Sequence, residues 1–125
     1  MTQPNPVRWF EIYVQDMARA RHFYETVLET RLERLGPDGA LEMWAFPSDR
    51  QQPGVGGALV RMEGVRSGGN STLVYFGCDD CAVEAGRIDG AGGRVQREKM
   101  SIGDYGYVVL AFDTEGNLIG LHSTR

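Results

Sequence analysis

Apolar and polar side chains alternate with a period of two over residues 7–14, which predicts a β-strand. One face of this strand carries three apolar side chains, Phe10, Ile12 and Val14. The opposite face carries Trp9, Glu11 and Tyr13. Asp16 then occupies the position of a helix N-cap, and apolar residues follow it at helical spacing. We therefore predict a helix over residues 16–29.

The rest of the chain consists of short apolar stretches, and its second half has the same order of elements as the first. Three strands are predicted after the first helix, over residues 31–35, 40–46 and 55–62. A strand, a helix capped by Asp80 and three more strands follow, over residues 71–78, 82–91, 94–100, 107–113 and 118–123. A shift of 64 residues superposes Trp9 on Leu73 and Asp16 on Asp80. We therefore predict two βαβββ repeats, at about 7–62 and 71–123.

The repeats explain how 125 residues form a single domain over residues 1–125. A unit of about 60 residues is marginal alone, because it buries too small a fraction of its surface. Packed together, the sheets of two such units curve around a shared cleft. In the first strand of each unit, the face turned away from the helix is expected to be the concave one. This face carries Trp9, Glu11, Tyr13, Leu73 and Tyr75.

The charge balance excludes some classes of partner. The chain has 17 acidic and 13 basic residues and a net charge of −4, which argues against a nucleic-acid-binding surface. Its longest apolar run, residues 107–112, is far shorter than the roughly 20 residues of a membrane helix, so no membrane span is predicted. The N-terminus has no basic region followed by an apolar stretch. A cytoplasmic protein is therefore expected.

Two segments resemble a known family. The stretch WFEIYVQDMARARHFYETVL resembles the N-terminal signature of the vicinal oxygen chelate superfamily, which includes glyoxalases, bleomycin- and fosfomycin-resistance proteins and extradiol dioxygenases. The ending YGYVVLAFDTEGNLIGLHS resembles the closing hairpin of that family. The resemblance covers residues 7–123. It implies an α+β fold in which tandem βαβββ modules form a curved mixed sheet around a cleft, and it implies a homodimer.

The resemblance also implies where a metal would be bound. Enzymes of the superfamily hold a divalent metal in the cleft with His or Glu side chains near strands one, four, five and eight. Carried onto this chain, the four positions are Trp9, Gly56, Leu73 and Gly120. Tryptophan, leucine and glycine offer no side-chain ligand to zinc, nickel or iron. No cofactor is therefore predicted, and a divalent metal at a shifted site is the alternative.

Glu11 and His122 are the candidate catalytic residues. Each lies two residues beyond a lost metal position, so both are expected to point into the cleft. They could form a general acid/base pair or half of a displaced metal site. A metal would need a further ligand, for which Glu42 and Glu63 are nearest by strand order. Alternatively, Glu11 and His122 belong to a buried polar network.

Aromatic side chains on the concave face could form a pocket for a flat or cationic ligand, or they could fill a core or an interface. Asp104 and Tyr105 lie in the SIGDYG loop, which is expected to overhang the mouth of the cleft or to be a simple turn. The predicted ligand-binding residues are Trp9, Tyr13, Leu73, Tyr75, Asp104 and Tyr105.

Cys78 and Cys81 form a Cys-x-x-Cys pair before the second predicted helix, where a thiolate could be stabilised for redox or zinc chemistry. The alternative is that Cys78 packs under the helix and Cys81 occupies its first turn.

The sequence thus predicts a glyoxalase-like protein that binds a small organic molecule in its cleft without the usual metal. One alternative is a metal-dependent lyase or dioxygenase-like enzyme that uses Glu11 and His122 in a shifted site. Another is a drug-sequestering resistance protein in which Glu11 holds a basic ligand between aromatic side chains. Whether the protein is an enzyme is left open.

Overall fold

The computed structural model describes residues 5–36, 39, 41–49 and 51–125. These residues form two α-helices, eight strands and a 3₁₀ turn at Gly103–Tyr105. The helices and strands are β1 (Trp9–Tyr13), α1 (Met17–Val27), β2 (Glu33–Leu35), β3 (Leu41–Ala45), β4 (Gly56–Met62), β5 (Tyr75–Gly77), α2 (Cys81–Ile88), β6 (Arg94–Ser101), β7 (Tyr107–Phe112) and β8 (Leu118–Ser123).

The predicted α+β fold of two βαβββ units is confirmed. The strands form two four-stranded sheets, with the orders β1-β4-β3-β2 and β5-β8-β7-β6. In each sheet the first strand pairs in parallel with the last strand of its unit, and the other pairings are antiparallel.

Both predicted helix caps are confirmed. The Oδ1 of Asp16 accepts a hydrogen bond from Arg19 N at 3.0 Å. The Oδ1 of Asp80 accepts one from Ala82 N, also at 3.0 Å. Each carboxylate thus satisfies one of the amide groups that a helix leaves free at its N-terminus.

The predicted strand over residues 71–78 is shorter than expected, because β5 covers only Tyr75–Gly77. The side chain of Asn70 is the physical reason. Its Oδ1 accepts from Leu118 N and its Nδ2 donates to Leu118 O, both at 3.0 Å. The amide therefore occupies the backbone groups at the start of β8 that a longer β5 would use.

Both repeats contribute to one hydrophobic core. Four aromatic rings form a cluster in which Phe46 and Phe76 contact each other and both contact Phe10 and Tyr24, with centroids 5.5 to 6.4 Å apart. Buried side chains of both helices surround this cluster. Burial across the boundary between the repeats supplies the apolar area that neither unit could bury alone.

The turn between β7 and β8 contains two buried acidic residues, which the sequence pattern does not predict. Asp113 Oδ2 accepts from the Tyr24 hydroxyl at 2.6 Å and from Asn117 Nδ2 at 3.0 Å. Asp113 Oδ1 accepts from the backbone N–H groups of Glu115 and Asn117. Asn117 Nδ2 also donates to Tyr13 O at 2.9 Å. The turn of the second repeat is thereby joined to α1 and β1 of the first.

Glu115 makes a second connection between the repeats. Its Oε1 accepts from Gln15 N at 2.8 Å and from Asp16 N at 2.9 Å, just before α1. Its Oε2 accepts from Arg19 Nε at 2.7 Å and from Thr114 Oγ1 at 2.9 Å. The Glu115 side chain is fully buried. Burial opposes its ionisation, but these donors stabilise the carboxylate and lower its pKa to about 2.

Candidate functional site

Glu11 lies at the centre of a hydrogen-bonded group on the open face of the first sheet. The Trp9 indole donates from Nε1 to Glu11 Oε2 at 3.2 Å, and the Tyr13 hydroxyl donates to Glu11 Oε1 at 2.9 Å. Strand periodicity places the three side chains on one face of β1, as predicted. The hydrogen bond to Glu11 and burial raise the pKa of Tyr13. We call Trp9, Glu11 and Tyr13 the Glu11 group.

The Glu11 carboxylate is exposed and has no ion-pair partner among the residues that the structure describes. Its two aromatic donors fix its orientation but carry no charge, and among the described residues Arg66, which lines a cavity next to Glu11, forms no ion pair with it. The side chain of Trp9 is itself 43% exposed. A charged group from solution can therefore reach both the carboxylate and the indole.

Small residues of β4 lie beside the Glu11 group. Trp9 pairs with Gly56 and Glu11 with Ala58 in the strand register. A Cβ atom on Gly56 would come within 3.2 Å of the Trp9 ring, so the glycine lets the indole lie flat against the sheet. At these two positions, therefore, β4 projects no large side chain beside Trp9 and Glu11.

A cavity of about 380 Å³ adjoins the Glu11 group. It lies between β1 and the starts of β5 and β8, and both Glu11 and Tyr13 line it. Val74 and Leu118 give it apolar wall area, and Asn70 contributes an amide. Its volume falls within the roughly 300 to 1,000 Å³ of typical small-molecule sites.

The second sheet carries Tyr75 at the position equivalent to Glu11. Tyr75 pairs with Gly120, and a Cβ on Gly120 would overlap the Tyr75 ring. The phenol is 48% exposed on the surface of β5. Leu73 is half-buried and precedes this strand. Trp9 and Tyr75 thus each lie over a glycine of the neighbouring strand, with Tyr75 one pair of residues further along its strand than Trp9.

His122 has a different partner from Glu11. Its Nε2 lies 2.7 Å from Tyr105 O, within the turn that joins β6 and β7. The Tyr105 side chain itself is 79% exposed, and Asp104 beside it is also exposed. Within the described residues no hydrogen bond joins Glu11 to His122. The acid/base pair therefore stays a prediction.

The four positions that the family resemblance assigns to a metal do not fit a divalent cation. Trp9, Gly56, Leu73 and Gly120 present an indole, an aliphatic chain and two hydrogen atoms. Among the described residues, no three His, Cys, Asp or Glu side chains come together as a metal-binding group.

The strand register refines one of these four positions. Val14 N donates to Val60 O in the first repeat, and Cys78 N donates to His122 O in the second. The offset between repeats is therefore 64 residues for β1 and β5 but 62 for β4 and β8. Ala58, rather than Gly56, is the counterpart of Gly120.

Glu42 is separated from Glu11 by the sheet itself. Ala45 pairs with Ala58, the neighbour of Glu11, so Glu42 lies on the opposite face. There its Oε2 accepts from Trp44 Nε1 at 3.0 Å. Glu63 follows the end of β4 and is exposed. Glu42 therefore cannot complete a metal site with Glu11.

The two cysteines are free thiols. Burial, together with the nearby Glu84 carboxylate, raises the pKa of Cys78 to about 12. Cys81 is fully buried in the first turn of α2. The raised pKa disfavours a thiolate at Cys78, and Cys81 occupies the first turn of α2, as the packing alternative expects.

The comparison with protein families identifies the chain. Its sequence matches the Glyoxalase/Bleomycin resistance protein/Dioxygenase superfamily over residues 7–121. The chain belongs to this superfamily. No curated protein matches the sequence. Neither α-helix in the described part of the chain has the length and apolar content to cross a membrane.

Solved structures related to this superfamily have the same fold. Glyoxalase I from Zea mays has a TM-score of 0.74 and 21% identity, over 98% of this chain and 47% of the maize chain. This chain thus spans about half the length of the maize enzyme. TnmS3, an antibiotic binding protein from Streptomyces sp. CB03234, has a TM-score of 0.71 and 21% identity over 98% of both chains. A glyoxalase-related enzyme from Fulvimarina pelagi has a TM-score of 0.69 and 14% identity, over 96% of this chain and 88% of that one. At these identities, the likeness shows the fold alone.

Proposed function

We propose that this superfamily member binds a small organic cation at the Glu11 group and that it needs no resident metal to do so. The observation that carries the proposal is the exposed Glu11 carboxylate, held by Trp9 and Tyr13 at 3.2 and 2.9 Å. Because both carboxylate oxygens are already oriented, a cation would meet a preorganised partner. The face of the Trp9 indole adds cation–π attraction for the same charge.

The adjoining cavity supports the proposal. Apolar surface at Val74 and Leu118 can cover the uncharged part of a ligand whose cationic group lies at Glu11. A structural neighbour, TnmS3, is named as an antibiotic binding protein and matches this chain along 98% of each length. Sequestration of a drug-like molecule is accordingly the form of binding that we favour.

Replacing Glu11 with glutamine is expected to weaken binding of a cationic ligand about tenfold, because the amide keeps the shape but loses the charge. The measurement is a thermal-shift screen of the wild-type protein with cationic drugs, glutathione conjugates and small α-keto acids, followed by calorimetry on the hits. Glu98→Gln is the matched control, since it removes the same charge from an exposed position on β6.

Two results would contradict the proposal. Binding that survives both Glu11→Gln and Trp9→Ala would place the ligand away from the Glu11 group. Stoichiometric zinc, nickel, manganese or iron in the purified protein, with loss of binding after chelation, would favour a metal-dependent lyase or dioxygenase-like enzyme that uses Glu11 and His122.

We also propose that two copies of the chain form a homodimer. The chain exposes 8232 Å² of surface. A compact monomer of its mass of 13.8 kDa would expose about 6,600 Å². Large apolar side chains on this surface include Leu41 and Tyr75. Light scattering after size-exclusion chromatography is expected to give twice the chain mass at micromolar concentration, and a monomer mass would contradict the proposal.

A further inference from the structure

We infer that the junction between the two repeats contains a second ligand site, which takes a small aryl-alkyl amine with Glu84 as the partner of its ammonium group. This site does not depend on the Glu11 group. Its cavity has a volume of about 440 Å³, and Glu11 is not among the residues that line it. Its walls come from β1, the end of α1, the segments that flank β3 and β4, β5 and α2. We call it the junction pocket.

The apolar wall of the junction pocket is rigid. It is formed by Phe10, Phe46 and Phe76, whose ring centroids are 5.5 to 6.4 Å apart. Behind them, the Tyr24 ring lies 5.7 Å from Phe46 and 5.9 Å from Phe76. Tyr24 is itself fixed by its 2.6 Å hydrogen bond to Asp113. A preformed wall of three phenyl rings favours an aromatic ligand tail, because ring pairs gain attraction beyond the area they bury.

Glu84 provides the charge complementarity. It is half-buried on α2 and lines the pocket. Neighbouring carboxylates have cationic partners, since Asp80 accepts from Lys99 at 2.8 Å and Glu29 lies 3.4 Å from Arg87. Glu84 has no ion-pair partner among the described residues. A negative charge beside an apolar wall selects a cationic group and disfavours an anionic one.

Cys78 does not compensate this charge. Its thiol lies near Glu84, and burial together with that carboxylate keeps it protonated at neutral pH. A neutral thiol leaves the Glu84 carboxylate as the formal charge that faces a ligand. The pocket therefore combines one anionic group with a wall of phenyl rings.

Phe76 is the wall residue that a variant can test. In β5 the side chains at positions 75 and 77 lie on one face of the strand, and Phe76 lies on the other face, against the core. Phe76→Leu keeps an apolar side chain at this position but removes one of the three rings of the wall.

Three probes with the same tail test the inference. Calorimetry and backbone amide chemical shifts are measured with 3-phenylpropylamine, 3-phenylpropanol and 3-phenylpropionate. We expect the amine to bind about fivefold more tightly than the alcohol, as a partly exposed ion pair allows, and the propionate to bind most weakly. Chemical-shift changes should centre on Phe76, Gly77 and Glu84. Equal affinity for the three probes would overturn the assignment.

Matched variants separate this site from the Glu11 group. Glu84→Gln should abolish the preference for the amine over the alcohol and leave the affinity for the alcohol unchanged. Phe76→Leu should weaken both probes about fivefold because it removes a ring from the wall, whereas Val83→Leu, at an exposed position on α2, should not. Glu11→Gln and Glu98→Gln should leave the chemical-shift changes at Phe76 and Glu84 unaffected, whether or not the amine also binds at the Glu11 group. A loss of amine binding in Glu11→Gln, with none in Glu84→Gln, would overturn the junction site and support the first site instead.

Discussion

Replacing Asp113 with alanine is expected to lower the free energy of unfolding by about 4 kcal/mol, because it leaves several buried donors without an acceptor. Asp113 is only 5% exposed. Its carboxylate accepts from the buried Tyr24 hydroxyl, from the Asn117 amide and from two backbone N–H groups in the β7–β8 turn. The measurement is urea unfolding followed by circular dichroism at pH 7.

The control for this prediction is Asp104→Ala, which removes an exposed carboxylate from the 3₁₀ turn and should change stability by less than about 0.5 kcal/mol. Tyr24→Phe removes one of the donors together with its need for a partner, so it should cost only about 1 kcal/mol. If Asp113→Ala were as stable as Asp104→Ala, the β7–β8 turn would not hold the two repeats together.

The sequence pattern predicted the parts of the fold that depend on neighbouring residues. Period-two alternation placed Ile12 and Val14 toward the core and Glu11 on the open face. The helix caps at Asp16 and Asp80 were predictable because a cap acts within three residues of its own position. The same periodicity predicted that Trp9, Glu11 and Tyr13 share a face.

Contacts between the repeats could not be predicted in this way. Glu115 bonds to residues about 100 positions earlier, and its sequence context, TEGN, is typical of an exposed turn. Asn70 replaces part of a strand by bonding to Leu118. The junction pocket likewise arises from rings that are distant in sequence and meet only when the repeats pack. The one feature of the sequence that indicates such contacts is the set of polar residues in the short turn after the buried strand β7.

To predict whether Glu11 pairs with His122, one must likewise know how residues distant in sequence pack together. Strand periodicity gives the face of a side chain, but it does not give the separation between two sheets. Glu11 accepts hydrogen bonds from two aromatic side chains of its own strand, β1. His122 contacts the backbone carbonyl of Tyr105 in the β6–β7 turn. Local hydrogen bonds can thus satisfy both groups without their meeting.

The stability of the protein is expected to fall by about 3 kcal/mol as the pH is lowered from 4.5 to 2, through protonation of Glu115 alone. The pKa of Glu115 is about 2 in the folded chain and 4.5 as its ordinary value. A carboxyl whose pKa is depressed by folding adds stability above its unfolded pKa and loses it as the pH falls through the folded pKa. The contribution is therefore complete at pH 7 and lost near pH 2.

Urea unfolding of the wild-type protein and Glu115→Gln across this pH range measures the effect, because the difference between the two removes the titration of the other carboxyl groups. The variant should be less stable by about 3 kcal/mol at pH 7, and the difference should shrink toward zero near pH 2. Glu98→Gln, at an exposed position, should follow the wild-type curve. If the free energies of unfolding of the wild type and Glu115→Gln changed in parallel with pH, the hydrogen bonds from Gln15, Asp16 and Arg19 would stabilise the fold without depending on the charge of Glu115. Convergence would show that one ionised carboxylate, buried between the repeats, makes the packing of β1 and α1 against the β7–β8 turn dependent on pH.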